Sequence, residues 1–150
     1  MEIARLRKFL RQHRRVALDS CFFIYQWEAN PRYSPLTDWV FHSLERSDFD
    51  AITSTITMTE LLVHPYRDND VARVNDLFGL FSTYPNLEWI APHLEIASRA
   101  AEIRAQCRLR TPDALQAATA LHANATAFLT NDPIFRRLTN VEALILDEFV

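Results

Sequence analysis

Thr111-Pro-Asp-Ala-Leu-Gln-Ala-Ala-Thr-Ala-Leu-His-Ala-Asn124, followed at once by Ala125-Thr-Ala-Phe-Leu-Thr130, decides the class of fold. The first segment is expected to be a helix with Asp113 in its first turn. The second is a short apolar run expected to be a strand. An acid, Asp132, follows that strand in Leu129-Thr-Asn-Asp132. Working outward, the same alternation repeats. Toward the C-terminus, Pro133 to Leu138 reads as a short helix and Val141 to Leu146 as a last strand. Toward the N-terminus come a helix over 93–108, a strand at Leu87–Ala91 and a helix over Asp70–Thr83 with Val71, Val74, Leu77, Phe78 and Phe81 inward. Met58 to Val63 begins a helix that Pro65 is expected to end. Asp50–Thr57, rich in β-branched residues, reads as a strand. Ser34 caps a helix with Pro35 in its first turn, and that helix runs to about Ser47 with Leu36, Trp39, Val40 and Leu44 on one face. Phe22–Glu28 is helical, Val16–Asp19 is a buried strand, and residues 2–14 form a basic helix. Strands alternating with helices point to an α/β protein: a three-layer α/β/α sandwich around a mostly parallel, roughly five-stranded sheet.

Composition narrows the chemistry. Gly79 is the only glycine, so a phosphate-cradling P-loop, a dinucleotide fingerprint and a G-x-S-x-G nucleophile elbow are excluded. Lys8 is the only lysine and precedes the first strand, which removes a phosphoacceptor receiver domain. The five histidines form no H-E-x-x-H zinc motif, and Cys21 and Cys107 are too few for a disulfide framework. With 150 residues and a composition 49% hydrophobic, the chain suits one ordered domain over 1–150. No apolar run reaches the roughly 18 residues of a membrane span, and Asp19 interrupts the one signal-like stretch; a cytoplasmic protein without membrane contact is expected. Residues 1–15 carry six Lys/Arg (Arg5, Arg7, Lys8, Arg11, Arg14, Arg15) against Glu2, a net of +5, so the remainder carries −8 of the chain's −3. A basic segment on an acidic body fits a polyanion contact set apart from a cation-binding pocket; a solvated helix face is the plainer reading.

In an open parallel sheet, sites form beyond the carboxyl ends of the strands. Asp19 ends the first strand, Glu60 follows the second, Asp113 opens the helix before the fourth and Asp132 follows the fourth. All four are expected at one edge of the molecule. Each has a structural alternative: Asp19 as the cap of the next helix, Glu60 in a capping box with Thr57, Asp132 as the cap of the helix beginning at Pro133, and Asp113 favoured by the helix dipole. Four carboxylates at one edge nevertheless repel one another, and a divalent cation relieves that repulsion. Oxygen ligands alone point to Mg²⁺ or Mn²⁺, ions suited to phosphoryl chemistry.

Leu18-Asp19-Ser20, Thr57-Met-Thr-Glu60-Leu-Leu, Leu109-Arg-Thr-Pro-Asp113-Ala-Leu-Gln-Ala-Ala-Thr-Ala120 and Leu129-Thr-Asn-Asp132 together resemble the successive motifs of PIN-domain nucleases, most closely the VapC-type toxins of bacterial toxin–antitoxin pairs. The resemblance covers about residues 16–148. It implies Mg²⁺- or Mn²⁺-dependent cleavage of RNA phosphodiesters, metal ligation by Asp19, Glu60, Asp113 and Asp132, and support of those carboxylates by Ser20, Thr130 and Asn131. It also implies a homodimer and a cognate antitoxin. Two features depart from the pattern: Ile134 stands where many relatives have a further Asp before the phenylalanine, and fifteen residues precede Val16. Arg110, beside Asp113, and Arg5, Lys8 and Arg11 of the basic extension are the candidate RNA contacts. The aromatics Phe22, Phe23, Tyr25, Trp27, Trp39 and Trp89 are expected to pack in the core or a dimer. The competing readings are a PIN-like RNA- or protein-binding module with weakened catalysis and a metal-dependent phosphatase. The Asp-x-Asp nucleophile pair of one large phosphatase class is absent, since Cys21 stands two residues after Asp19.

Overall fold

The computed structural model describes residues 2–150. Its centre is a sheet of β1 (Arg15–Leu18), β2 (Asp50–Ser54), β3 (Leu87–Ile90), β4 (Ala127–Thr130) and β5 (Glu142–Ile145). Their order is β3-β2-β1-β4-β5, and every neighbouring pair is parallel. Parallel neighbours need crossovers: α1 (Glu2–Leu10) precedes β1, α2 (Ser20–Trp27) and α3 (Ser34–Glu45) lead from β1 to β2, α4 (Thr55–Arg67) and α5 (Val71–Ser82) from β2 to β3, α6 (Leu94–Cys107) and α7 (Thr111–His122) from β3 to β4, and a 3₁₀ turn over Pro133–Arg137 from β4 to β5. Side chains alternate across the strands and fix the layers. Val16, Leu18, Ala127 and Leu129 join the core under α1 to α5, whereas Ala17, Ile52 and Phe128 join the core under α6 and α7. Helix α7 buries Ala114, Ala117, Ala118 and Ala120 completely. Four small side chains on one helix let its backbone lie close to the sheet.

From β1 the chain moves outward to β2 and β3, then crosses back to β4 and β5. The order therefore reverses between β1 and β4, the place where open parallel sheets leave a crevice at their carboxyl ends. Asp19 and Asp132 follow those two strands.

Several boundaries differ from the sequence reading. Strand β2 stops at Ser54, not Thr57, because the Ser54 hydroxyl caps α4 by accepting from the Ile56 amide at 3.2 Å. The β-branched run therefore continues as helix. Pro65 does not end α4; it lies inside the last turn. A proline removes only one ladder bond there, and the helix closes two residues later. Asn69 takes a left-handed conformation (φ 53°), with its amide donating to Tyr66 O and that of Asp70 to Pro65 O, a Schellman ending. Ser34 is a first-turn residue rather than the cap, which falls on Tyr33 without a side-chain bond; the Ser34 amide donates to Asn30 O at 2.7 Å and draws the serine into the helix. On α5, Val74, Leu77 and Phe81 are buried, but Val71 and Phe78 are 67% and 52% exposed. The inward stripe is narrower than expected. The basic N-terminal helix is shorter than residues 2–14 and forms part of the core, since Leu6 and Leu10 are buried. With one glycine in the chain, several left-handed positions fall to other residues, among them Ala29, Ser47 and Arg108.

Candidate active site at the strand ends

The carboxyl end of β1 is tied to β4 by one further backbone bond, from the Asp19 amide to Leu129 O at 2.9 Å. This holds the half-buried Asp19 side chain at the reversal point. Its Oδ1 accepts from the Ser20 amide at 2.8 Å, so it caps α2. Its Oδ2 accepts from the Thr130 hydroxyl at 2.6 Å. The same Thr130 oxygen accepts from the Asp132 amide at 3.1 Å. On the other side, the Ser20 hydroxyl donates to Glu60 Oε2 at 2.7 Å. Two hydroxyls, Ser20 and Thr130, thus connect Glu60, Asp19 and the backbone of Asp132 across α4, β1 and β4.

Asp19 carries an excess of negative surroundings. Burial pushes its carboxyl up from an ordinary value of 3.8 to about 6, against the lowering effect of the bonds from Thr130 and Ser20, and Glu60 and Asp113 raise it further. The two other carboxylates are therefore within electrostatic reach of it. Asp113 sits in the first turn of α7, and its nearest cation is Arg110, 3.5 Å away on an 81% exposed side chain. Such a bond is long and screened. Asp132 is exposed, and its Oδ1 accepts from the Ile134 amide at 3.0 Å, capping a short 3₁₀ turn over Pro133–Arg137. The capping box proposed for Thr57 and Glu60 does not form: Ser54 takes the cap and Thr57 is buried inside α4, which leaves Glu60 to Ser20.

Asn131 turns elsewhere. Its Nδ2 donates to Tyr25 OH at 3.2 Å and its Oδ1 accepts from the Asp147 amide at 2.8 Å. It ties the loop after β4 to α2 and the C-terminal turn rather than to a carboxylate. Burial pushes the neighbouring Cys21 thiol up, and Asp19 adds to the effect, which disfavours the reactive thiolate.

One arrangement had no counterpart in the sequence reading. Buried Gln116 of α7 donates through Nε2 to Thr57 Oγ1 at 2.8 Å, Thr57 and Thr53 hydroxyls lie 2.7 Å apart, and Thr53 donates to Leu18 O at 2.9 Å. The proton count fixes the direction. Thr53 spends its only hydrogen on Leu18, so Thr57 donates to Thr53 and must accept from Gln116. This chain joins α7, α4, β2 and β1 beneath the acids. Asp113 stands one turn before Gln116 and Glu60 one turn after Thr57, so the Gln116–Thr57 bond sets how the two helices present them. A polar Gln116 among buried alanines is the sequence signal that could have revealed it.

Among the described residues, no three His, Cys, Asp or Glu side chains stand arranged as a metal cage. The donor set still fits a hard divalent ion. It is oxygen only, and the charge around Asp19, opposed by burial and by two other carboxylates, is of the kind a bound cation neutralises. Beside Glu60, the one candidate acid that lines it, a cavity of about 280 Å³ opens between Trp27, His64, Arg73 and Leu77. Its size is at the lower end of small-ligand pockets, roughly 300–1,000 Å³.

A family model described as PIN domain matches residues 16–141 of the chain. No curated protein matches it. Among solved structures, it resembles a chain of the VapBC2 complex from Rickettsia felis bound to a DNA fragment from their promoter, with a TM-score of 0.69 and 18% identity over 87% of this chain and 98% of that one. It also resembles a chain of a toxin–antitoxin complex from Klebsiella pneumoniae, with a TM-score of 0.64 and 18% identity over 87% and 97% of the two chains.

Proposed function

This chain belongs to the PIN domain family, and from that premise we propose that it is a Mg²⁺- or Mn²⁺-dependent endoribonuclease, the toxin of a toxin–antitoxin pair. The observation that carries the reading is the electrostatic convergence of Glu60 and Asp113 on Asp19 at the point where the strand order reverses. Glu60, linked to Asp19 through the amide and hydroxyl of Ser20, and Asp113, whose charge reaches Asp19, come from separate elements at the end of the sheet where such a fold leaves a crevice. The toxin–antitoxin assignment draws on the two structural neighbours, both of them parts of toxin–antitoxin complexes.

In this reading Asp19, Asp113 and Asp132 hold the ion, with Glu60 completing the set or orienting the attacking water. The ion, when bound, supplies Lewis acidity and a water of lowered pKa. Thr130 and Ser20 are positioning residues. The Thr130 hydroxyl directs one oxygen of Asp19, and the Ser20 hydroxyl holds Glu60 close to Asp19. Glu60, exposed and with only one of its oxygens so held, is the group free to accept a proton from water. Arg110, exposed beside Asp113, is the candidate contact for a substrate phosphate. The remaining assignments are one nuclease domain spanning 1–150, a homodimer, a cognate antitoxin that covers the site and a cytoplasmic setting. Among the described residues no helix is long and apolar enough to cross a membrane.

The test is cleavage of total cellular RNA by wild type and Asp19→Asn, each with Mg²⁺, Mn²⁺ or EDTA. Discrete products that require the metal and vanish in the variant are expected. A well-folded wild type, free of antitoxin, that cuts nothing in either metal would replace the nuclease with a binding module. The exposed, capping state of Asp132 is the observation that favours this second reading.

A further inference from the structure

Helix α1 lies outside residues 16–141, the part of the chain that the family model matches, yet Leu6 and Leu10 seat it firmly in the core. Docked there, it closes a cavity of about 340 Å³ against α3 and the segment before β2. The charged and aromatic residues at this cavity are Arg7, Arg11, Trp39, Arg46 and Asp48. Asp48 is already neutralised, with Oδ2 accepting from Arg46 Nε at 3.2 Å and Nη2 at 2.9 Å. Arg46 is in turn steadied by the Ser43 hydroxyl at 3.1 Å. Arg7 lies over the half-buried Trp39 ring at 6.0 Å. Arg7 and Arg11 have no carboxylate partner among the described residues, so the cavity holds two uncompensated guanidinium groups beside an aromatic wall.

Its place in the fold separates it from the acids. Arg11 precedes β1 and Asp48 precedes β2, so the cavity lies at the amino ends of the strands, whereas the carboxylates lie at the carboxyl ends. A four-residue strand is about 13 Å long, so the two sites are at least that far apart. The body beyond residue 15 carries a net −8, so Arg7 and Arg11 give this face a local positive charge that the body as a whole lacks.

We propose that the α1–α3 cavity is a second RNA-binding site, in which Arg7 and Arg11 contact phosphates of a single strand and Trp39 stacks on a base. The choice of RNA rests on the nuclease reading above. An acidic protein segment would also pair with the arginines, but it has no use for the aromatic wall. An unstacked base uses both, since bases stack on aromatic rings and guanidinium planes alike. The site would hold a long substrate at a distance from the cleaved bond and would account for a helix that the family model does not include.

The experiment measures binding of a single-stranded oligouridylate to the full chain in EDTA, by tryptophan fluorescence, across a salt series. Cleavage plays no part in the readout. Wild type is expected to show quenching that Trp39→Phe reduces, the remainder coming from Trp27 beside Glu60. Arg7→Gln/Arg11→Gln, two exposed substitutions checked for an unchanged urea midpoint, should flatten the slope of log K against log salt by about 1.4, since each phosphate contact on a single strand contributes about 0.7. An unchanged slope in the double variant overturns the proposal, as does quenching undiminished in Trp39→Phe. Tighter binding of a polyglutamate peptide than of the oligonucleotide, lost in the same double variant, overturns it in favour of an acidic protein partner. Arginine-dependent oligonucleotide binding without any RNA cleavage in Mg²⁺ or Mn²⁺ would retire the nuclease reading and leave this site standing.

Discussion

Metal-free stability should fall as pH rises through the titration of Asp19, and Asp19→Asn should remove that fall. The carboxyl moves from 3.8 to about 6 in the native fold. Below its unfolded value both states are protonated and the group is neutral in the balance. Between the two values the native state holds a proton that the unfolded chain has released, so stability drops with each increment of pH. Above about 6 the native state carries the whole penalty of an anion crowded by burial, Glu60 and Asp113. The difference, 6 less 3.8 at about 1.36 kcal/mol per pH unit, is about 3 kcal/mol. That is a large share of the roughly 5–15 kcal/mol typical of a domain. Urea unfolding in EDTA between about pH 4 and about pH 8 measures it. The informative quantity is wild type minus variant. Hydrogen bonds altered by the amide shift this difference by a constant, whereas the carboxyl gives it a slope. Relative to wild type, the variant should gain about 3 kcal/mol across the window. At the alkaline end, millimolar Mg²⁺ or Mn²⁺ should stabilise wild type by mass action and the variant far less. A difference that stays flat with pH would refute the argument that the reversal point concentrates charge on Asp19.

Asp113→Asn removes one of the like charges that raise Asp19. Its metal-free stability near neutral pH should equal or exceed wild type, and a loss above about 1 kcal/mol by the same urea titration would mark Asp113 as a structural cap instead. Thr57→Val strands the buried Gln116 amide donor and should cost about 1–3 kcal/mol; calorimetry showing under about 0.5 would mean that the buried chain is not a strut. Ala29 holds φ 49° at the end of α2 and is exposed, so Ala29→Gly should gain about 0.5–1 kcal/mol after the entropy of the unfolded glycine is set against the relieved left-handed strain. Leu6→Ala should cost about 2–5 kcal/mol if α1 is core rather than appendage, and a thermal midpoint unmoved by it would return α1 to the status of a detachable arm.

The order of elements was legible because apolar runs and breakers repeat with little ambiguity, and one local rule, sites at the carboxyl ends of parallel strands, carried the acids to one edge without any knowledge of strand order. The failures were local and share a cause. At Thr57 the sequence offered a capping box, but a serine three residues earlier reaches the free amide first, and position along a chain does not say which of two hydroxyls wins. At Pro65 the propensity was right about the lost bond and wrong about its consequence, since a proline so near a helix end forfeits little. At Val71 and Phe78 a periodicity true of the helix was extended beyond the width of the face that packs.

Gln116 and Asn131 failed for a different reason, because their meaning depends on partners far away in sequence. Gln116 could be seen as a polar residue in an alanine helix, but its partner Thr57 is 59 positions distant, and only the packing of α7 across the sheet brings them together. The resemblance to PIN-domain nucleases implies that Asn131 supports the carboxylates, yet adjacent residues leaving a strand point in opposite directions. Thr130 faces Asp19, so Asn131 must face away, toward Tyr25 and Asp147. Asp132 lies beyond the end of β4 and spends one oxygen on the Ile134 amide. Its contribution to an ion at Asp19 therefore competes with the cap of the turn that follows. Asp132→Asn keeps the capping oxygen and loses only the charge, whereas Asp132→Ala loses both. Equal loss of divalent-ion stabilisation in the two variants, read from urea midpoints, with loss of metal-free stability confined to the alanine, is the expected pattern for an acid that serves both purposes. A metal response left intact by the asparagine would make Asp132 a cap alone and reduce the acidic set to Asp19 and the two residues, Glu60 and Asp113, whose charges reach it.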